Sequence, residues 1–156
     1  MMRKSATDKP LDLTETALML AESGLWVFPC YANKRPATPN GFKNSENDPE
    51  KVAKLFAMYP NADLIGVETG EKSGLFVLDF DFYKGDEPRQ YHDALVAQGL
   101  LPPTRIHTTK SGGVHYLYSS QDGYPTVVPN DGVETRGDGG YIIWWPGFGG
   151  SITSSG

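Results

Sequence analysis

Apolar positions recur along this chain with two periods, and the switches between them mark out its elements. Leu13, Ala17, Leu18, Leu20 and Ala21 fall at helical spacing, which predicts a helix over 13–23 with Asp12 or Thr14 as its cap and Gly24 as its stop. Leu25-Trp26-Val27-Phe28 reads as a short buried strand closed by Pro29. Asp48-Pro49 couples a cap to a first-turn proline, so a second helix is expected over 50–58 with Val52, Leu55 and Phe56 inward. Leu64-Ile65-Gly66-Val67-Glu68 is the next strand, and the turn 69–74 delivers the chain into a strand over 75–82 as the second arm of a hairpin. Glu87-Pro88 opens a third helix that Leu101-Pro102-Pro103 stops. Strands follow over 104–109 and 114–118 around a tight turn, then a looser stretch 121–131. The chain ends on a strand over 133–136, a glycine-rich turn and an apolar strand over 141–145. Residues 1–12 read as a flexible N-terminus, and 149–156 as a polar tail or the start of a linker.

Composition narrows the class. An apolar share of 38% with three Trp, eight Tyr and seven Phe in 156 residues supports one folded domain with a real core. Net charge is −5, which argues against broad electrostatic coating of nucleic acid and leaves room for a local basic groove. One cysteine, Cys30, excludes an intramolecular disulfide and a cysteine-only zinc site, and after Trp26-Val27-Phe28-Pro29 it reads as a buried structural thiol. No apolar run reaches the roughly 18 residues of a membrane span. Met1-Met2-Arg3-Lys4 precedes no signal-like apolar stretch, so a cytoplasmic protein without a membrane partner is expected.

The run Leu75-Phe76-Val77-Leu78-Asp79-Phe80-Asp81-Phe82 carries the sharpest candidate chemistry. Alternation puts Asp79 and Asp81 on one face with Leu75 and Val77, and the four residues between and beyond on the other. Carboxylates beside a hydrophobic run need a compensating cation, and roughly 6–7 Å between their Cα atoms lets both converge on one or two divalent ions. A strand end running into a polar turn remains the plain alternative. Lys34 and Arg35 are either a solvated loop tip or a phosphate contact. Gly112 and Gly113 serve either a plain hairpin or a backbone anion cradle. Glu134 and Arg136 share a face two residues apart, as a site or as a simple ion pair of Glu134 with Arg136 or Arg105. His115 shares its face with Leu117, while His92 and His107 stand in no motif and read as structural.

Lys34-Arg35-Pro36, then Leu78-Asp79-Phe80-Asp81, then Ser111-Gly112-Gly113-Val114-His115, then Val133-Glu134-Thr135-Arg136-Gly137 occur in that order. From about residue 14 to 145 the chain resembles the bifunctional primase-polymerase domain of the archaeo-eukaryotic primase superfamily, found in phage and plasmid replication proteins. The resemblance implies a catalytic domain over 13–148, of α/β (α+β) class. In it a central mixed, largely antiparallel sheet is flanked by helices and contains an RRM-like catalytic unit. It implies that Asp79, Asp81 and Glu134 hold a two-metal site of Mg²⁺ or Mn²⁺. It implies that His115, Ser111, Gly112, Gly113, Lys110 and Arg136, with Lys34 from its loop, bind the nucleotide. The expected activity is template-directed nucleotidyl transfer, by a DNA primase, a DNA polymerase or both. Substrates would be nucleoside triphosphates with a single-stranded DNA template and primer, and a helicase domain or subunit is the expected partner. A nucleotide-binding or single-strand-binding module that keeps the fold without catalysis, and a metal-dependent nuclease, are the competing readings. Family sequences run Pro-Pro-Ser and onward where this chain has Trp145-Pro146-Gly147-Phe148, so a minimal version or a piece of a larger protein is expected.

Overall fold

The computed structural model describes residues 12–119 and 127–155. Helix α1, Leu13–Glu22, begins where the Asp12 carboxylate accepts the Glu15 N–H at 2.9 Å, and it buries Ala17, Leu20 and Ala21. Strand β1, Val27–Cys30, is buried throughout. Helix α2, Pro49–Ala57, has Asp48 as its cap and turns Val52 and Phe56 inward. Then come β2, Leu64–Glu68, and β3, Leu75–Phe80, followed by a 3₁₀ turn Phe82–Lys84 and helix α3, Asp86–Ala97. The remaining strands are β4, Arg105–Thr108; β5, Val114–Ser119; β6, Val127–Asn130; β7, Val133–Arg136; β8, Tyr141–Ile143; and β9, Ser151–Ser155.

The class is α+β, with the β-structure divided between two antiparallel sheets: a three-stranded one ordered β1-β2-β8 and a six-stranded one ordered β6-β7-β3-β5-β4-β9. Both share one core. Val27, Ile65, Val67 and Ile142 of the small sheet cluster with Leu75, Val77 and Leu117 of the large one, and α1 and α2 close over them with Leu20, Val52 and Phe56. On the small sheet Phe28 stands opposite Gly66, where a Cβ would come within 2.5 Å of its ring, so glycine makes the slot for that aromatic. The other face of the large sheet is covered from α3. There Phe80, Phe82 and Tyr116 surround His92, whose Nε2 lies 2.8 Å from the Tyr116 hydroxyl.

Four expectations are corrected. Pro29 lies inside β1 rather than closing it; β1 is an edge strand, where a missing N–H costs no ladder bond. The strands β2 and β3 are not a hairpin, because they belong to different sheets. The Thr69 hydroxyl donates to the Gly137 carbonyl at 2.6 Å and the Glu71 N–H to Asp138 Oδ1 at 2.8 Å. These bonds join the β2–β3 crossing to the β7–β8 crossing, so the two passages between sheets lie side by side. The strand expected over 75–82 ends at Phe80, leaving Asp81 just beyond it. The polar run from Gly149 supplies β9, which pairs with β4; Gly150 enters it against the Thr108 carbonyl, with no room for a Cβ. The looser stretch also contains β6, while its residues 121–126 and the N-terminal residues 1–11 lie outside the described residues. Among the described residues no helix is long and apolar enough to cross a membrane.

Cys30 is fully buried, and burial pushes its thiol up to about 12. The folded chain is therefore expected to resist a thiol reagent near pH 8, about the ordinary thiol pKa, and to react on addition of urea. Rapid labelling of the native protein would contradict the placement.

Candidate active site

Three neighbouring strands bring the acids and a histidine into one row. Asp79 on β3 stands opposite His115 on β5 and opposite Glu134 on β7. Leu75 and Val77, earlier on the same face, are in the core, so the strand enters the protein apolar and reaches the row acidic. Asp79 is only 7% exposed, a position carboxylates seldom hold without compensation. Asp81 has left the strand, with its N–H held by the Gly132 carbonyl at 2.7 Å, and still joins the cluster. Asp79, Asp81 and Glu134 each present an oxygen within 4.8 Å of the other two.

The two aspartates are driven in opposite directions. Burial pushes Asp79 up, but the contact with His115 and the charge of Arg136 more than offset it, and its carboxyl settles below the usual range. Asp81 is pushed above that range, by burial first and then by the Asp79 and Glu134 charges, against the pull of Lys84 at 3.7 Å. Environments that separate neighbouring carboxyls are characteristic of reactive centres. Arg136 Nη2 sits 2.5 Å from Glu134 Oε1 and 3.8 Å from Asp79 Oδ2, so one guanidinium neutralises part of the acidic charge. Asp79 Oδ1 has His115 Nε2 at 3.4 Å but no well-formed hydrogen bond, and it is buried. An all-oxygen ligand set with such an orphaned carboxylate oxygen fits a hard divalent cation, Mg²⁺ or Mn²⁺, better than a soft one.

A raised Asp81 means that the folded chain binds its proton more tightly than the unfolded chain. In chelator, stability is then expected to fall as pH rises from about 4, the ordinary carboxyl value, through the raised one. The depressed Asp79 acts in the window below, where stability falls as pH falls. Urea midpoints of the wild type and Asp81→Asn between about pH 4 and 7 check this; an equal decline in both would contradict it.

A cleft of about 200 Å³ opens on the row, lined by Asp81, His115 and Arg136 from the large sheet, Tyr141 and Ile143 from the small one, and Lys34, Ser111 and Trp145. Lys34 is more than a loop tip. Its backbone takes a positive φ of 75°, its N–H donates to the Tyr31 carbonyl, and its own carbonyl accepts the Tyr141 hydroxyl at 2.9 Å. A pinned, left-handed lysine at the lip of a cleft is a strained placement of the kind that clusters at functional sites. Lys110 lines an adjoining hollow with Lys34, Ser111 and Trp145 instead of the cleft itself. Gly112 takes a φ of +91°, and a Cβ on Gly113 would lie 2.3 Å from the Phe80 carbonyl oxygen, so this turn needs glycine to begin β5 hard against the end of β3.

Thr109 and Trp145 line the cleft without having been singled out from sequence, and so does Tyr141, which closes the Val133-Glu134-Thr135-Arg136-Gly137-x-Gly139-Gly140-Tyr141 run but carries no assigned role there. Strand alternation from Arg105 and His107 could have placed Thr109 on the same face, where its hydroxyl accepts the Gly113 N–H at 2.9 Å. Nothing local marks Trp145, and nothing local gives Tyr141 a place in the cleft, since the approach of the second sheet is what brings them in.

No curated protein matches the chain. A family model described as bifunctional DNA primase/polymerase, N-terminal, matches residues 17–153. As that match runs through most of the chain and carries every acid of the row with it, the chain belongs to the bifunctional DNA primase/polymerase N-terminal family.

Proposed function

We propose that this chain performs metal-dependent, template-directed nucleotidyl transfer on single-stranded DNA, as a primase, a DNA polymerase or both, in phage or plasmid replication. The family implies a nucleotidyltransferase acting on nucleotide and DNA substrates. The observation that carries the finer reading is the buried, unbonded Asp79 Oδ1 within a three-carboxylate set whose Asp81 lines a cleft walled by Lys34 and Arg136.

Asp79, Asp81 and Glu134 would hold Mg²⁺ or Mn²⁺, which when bound activates the attacking 3′ hydroxyl and offsets charge growing on the α-phosphate and pyrophosphate. Arg136, already aimed between two acids at the cleft, supplies a fork of donors for the triphosphate. His115 Nε2 donates from the floor, Lys34 adds a point charge at the lip, and Ser111 and Lys110 extend the same wall. The 3′ hydroxyl releases its proton to solvent and its oxygen bonds to the α-phosphorus as the bond from that phosphorus to the α–β bridging oxygen breaks, and pyrophosphate leaves. With a net charge of −5 the chain holds template weakly alone, so a helicase or DNA-binding partner in the same complex is part of the reading.

The test is a primed single-stranded template with labelled dNTPs and Mn²⁺. Longer strands with one pyrophosphate per addition are expected. Shorter strands would point to a nuclease, and nucleotide binding with no change in strand length to a binding module.

A further inference from the structure

The row of the active site continues one strand beyond His115. His107 on β4 stands opposite His115, as His115 stands opposite Asp79 and Asp79 opposite Glu134. One sheet face thus carries two histidines and two acids in line across four strands. His107 is 0% exposed, and its ring meets Trp144 edge-on at 4.6 Å. Its Nε2 accepts the Arg105 Nε–H at 2.7 Å. Arginine only donates, so Nε2 carries no proton, and the neutral ring keeps its proton on Nδ1. That Nδ1 is buried without a partner.

His115 has the complementary arrangement. Its Nε2 faces Asp79 Oδ1, which only accepts, so Nε2 carries a proton. Its Nδ1 is likewise buried without a partner. One orphaned nitrogen has a proton to give, and the other has a lone pair to receive it. His92 provides the contrast, since both of its ring nitrogens have partners, Asp93 and the Tyr116 hydroxyl.

We propose that His107 is a positioning residue for His115: its Nδ1–H donates to His115 Nδ1 across one water, and so fixes the tautomer that presents Nε2–H to the cleft. The water accepts from one nitrogen and donates to the other, which satisfies two buried groups that are otherwise costly to leave unpaired. Arg105 anchors the chain from behind. Its guanidinium has no acidic partner among the described residues and stacks on Trp144 at 5.2 Å, so its charge polarises the His107 ring toward stronger donation. Burial, then the Arg105 charge, hold His107 down to about 3, so the ring stays neutral over the whole working range, and the Arg105 contact keeps its single proton on Nδ1. The consequence for triphosphate binding rests on the function proposed above, whereas the tautomer does not.

The experiment is side-chain ¹H–¹⁵N correlation on chain labelled at histidine nitrogen, which reads tautomers directly, for the wild type, His107→Leu, His107→Asn and Arg105→Met. The wild type is expected to show His115 protonated at Nε2. His107→Leu and Arg105→Met are expected to admit the Nδ1-protonated form. His107→Asn, whose amide N–H stands where the imidazole Nδ1–H stood, is expected to restore the original tautomer. In incorporation assays KM for the nucleoside triphosphate should rise about tenfold in His107→Leu, with kcat within about twofold, and recover in His107→Asn. An unchanged His115 tautomer in both His107→Leu and Arg105→Met would overturn the proposal, as would equal losses in the leucine and asparagine variants. Should His107→Leu not fold, Arg105→Met and His107→Asn decide. A chain without incorporation activity would still show the tautomer change, which separates failure of this inference from failure of the functional one.

Discussion

Asp79→Asn is expected to lower nucleotide incorporation by about a thousandfold or more while leaving the chain folded. Asp79 is the shared member of the row, opposite both His115 and Glu134, and its Oδ1 is the buried oxygen without a hydrogen bond. Asparagine keeps its size but turns one ligand oxygen into a poorly binding amide. The fold should tolerate the change because Arg136 is not left alone: its Nη2 remains 2.5 Å from Glu134, so no uncompensated buried cation is created. Single-nucleotide incorporation, paired with circular dichroism and urea unfolding, checks both halves. A folded variant with wild-type incorporation would remove Asp79 from the chemistry.

Arg136→Met should produce a different pattern, with incorporation efficiency down about a hundredfold, chiefly through KM for the triphosphate, and divalent-cation affinity retained or increased. Arg136 is the cation lying against Glu134 and Asp79 in this structure, so removing it deletes the fork proposed to hold the triphosphate and also leaves the three acids more repulsive toward one another. That repulsion destabilises the metal-free chain and favours a bound divalent ion. Thermal unfolding with and without Mg²⁺ should therefore show a larger metal-induced rise in Tm for Arg136→Met than for the wild type. An equal loss of metal response and incorporation would mean that Arg136 acts only by holding Glu134 in place.

The acid row was legible because its parts are local: strand alternation puts Asp79 on the face of Val77, and the Glu134-x-Arg136 spacing puts both side chains on one face of β7. That His115, Asp79 and Glu134 fall in register was not legible, since it depends on β5 and β7 flanking β3, and strand order is a property of the whole sheet. The helices were read closely because Asp12, and Asp48 with Pro49, state their starts chemically. The hairpin reading of β2 and β3 failed because Gly70 and Ser73-Gly74 are good turn residues for either outcome. The bonds from Thr69 and Glu71 to the 137–140 turn, nearly seventy residues away, decide between them. His107 read as structural and is buried against Trp144; its place beside a second buried histidine depends on the pairing of β4 with β5, which no local pattern gives. The strand β9 has little apolar content to announce it, and is held by backbone pairing to β4 and a Thr108–Ser151 hydroxyl contact of 2.8 Å.

The most direct test of the central claim, that the acid row is a divalent-metal centre, is an electron paramagnetic resonance titration of Mn²⁺ in the presence of a nucleoside triphosphate. It compares the wild type with Asp79→Asn/Asp81→Asn. The free-ion signal is expected to fall on adding wild-type chain beyond what the nucleotide removes by itself, and to stay at the nucleotide-only level with the double variant. Equal loss of signal with both chains would place the metal elsewhere and contradict the account.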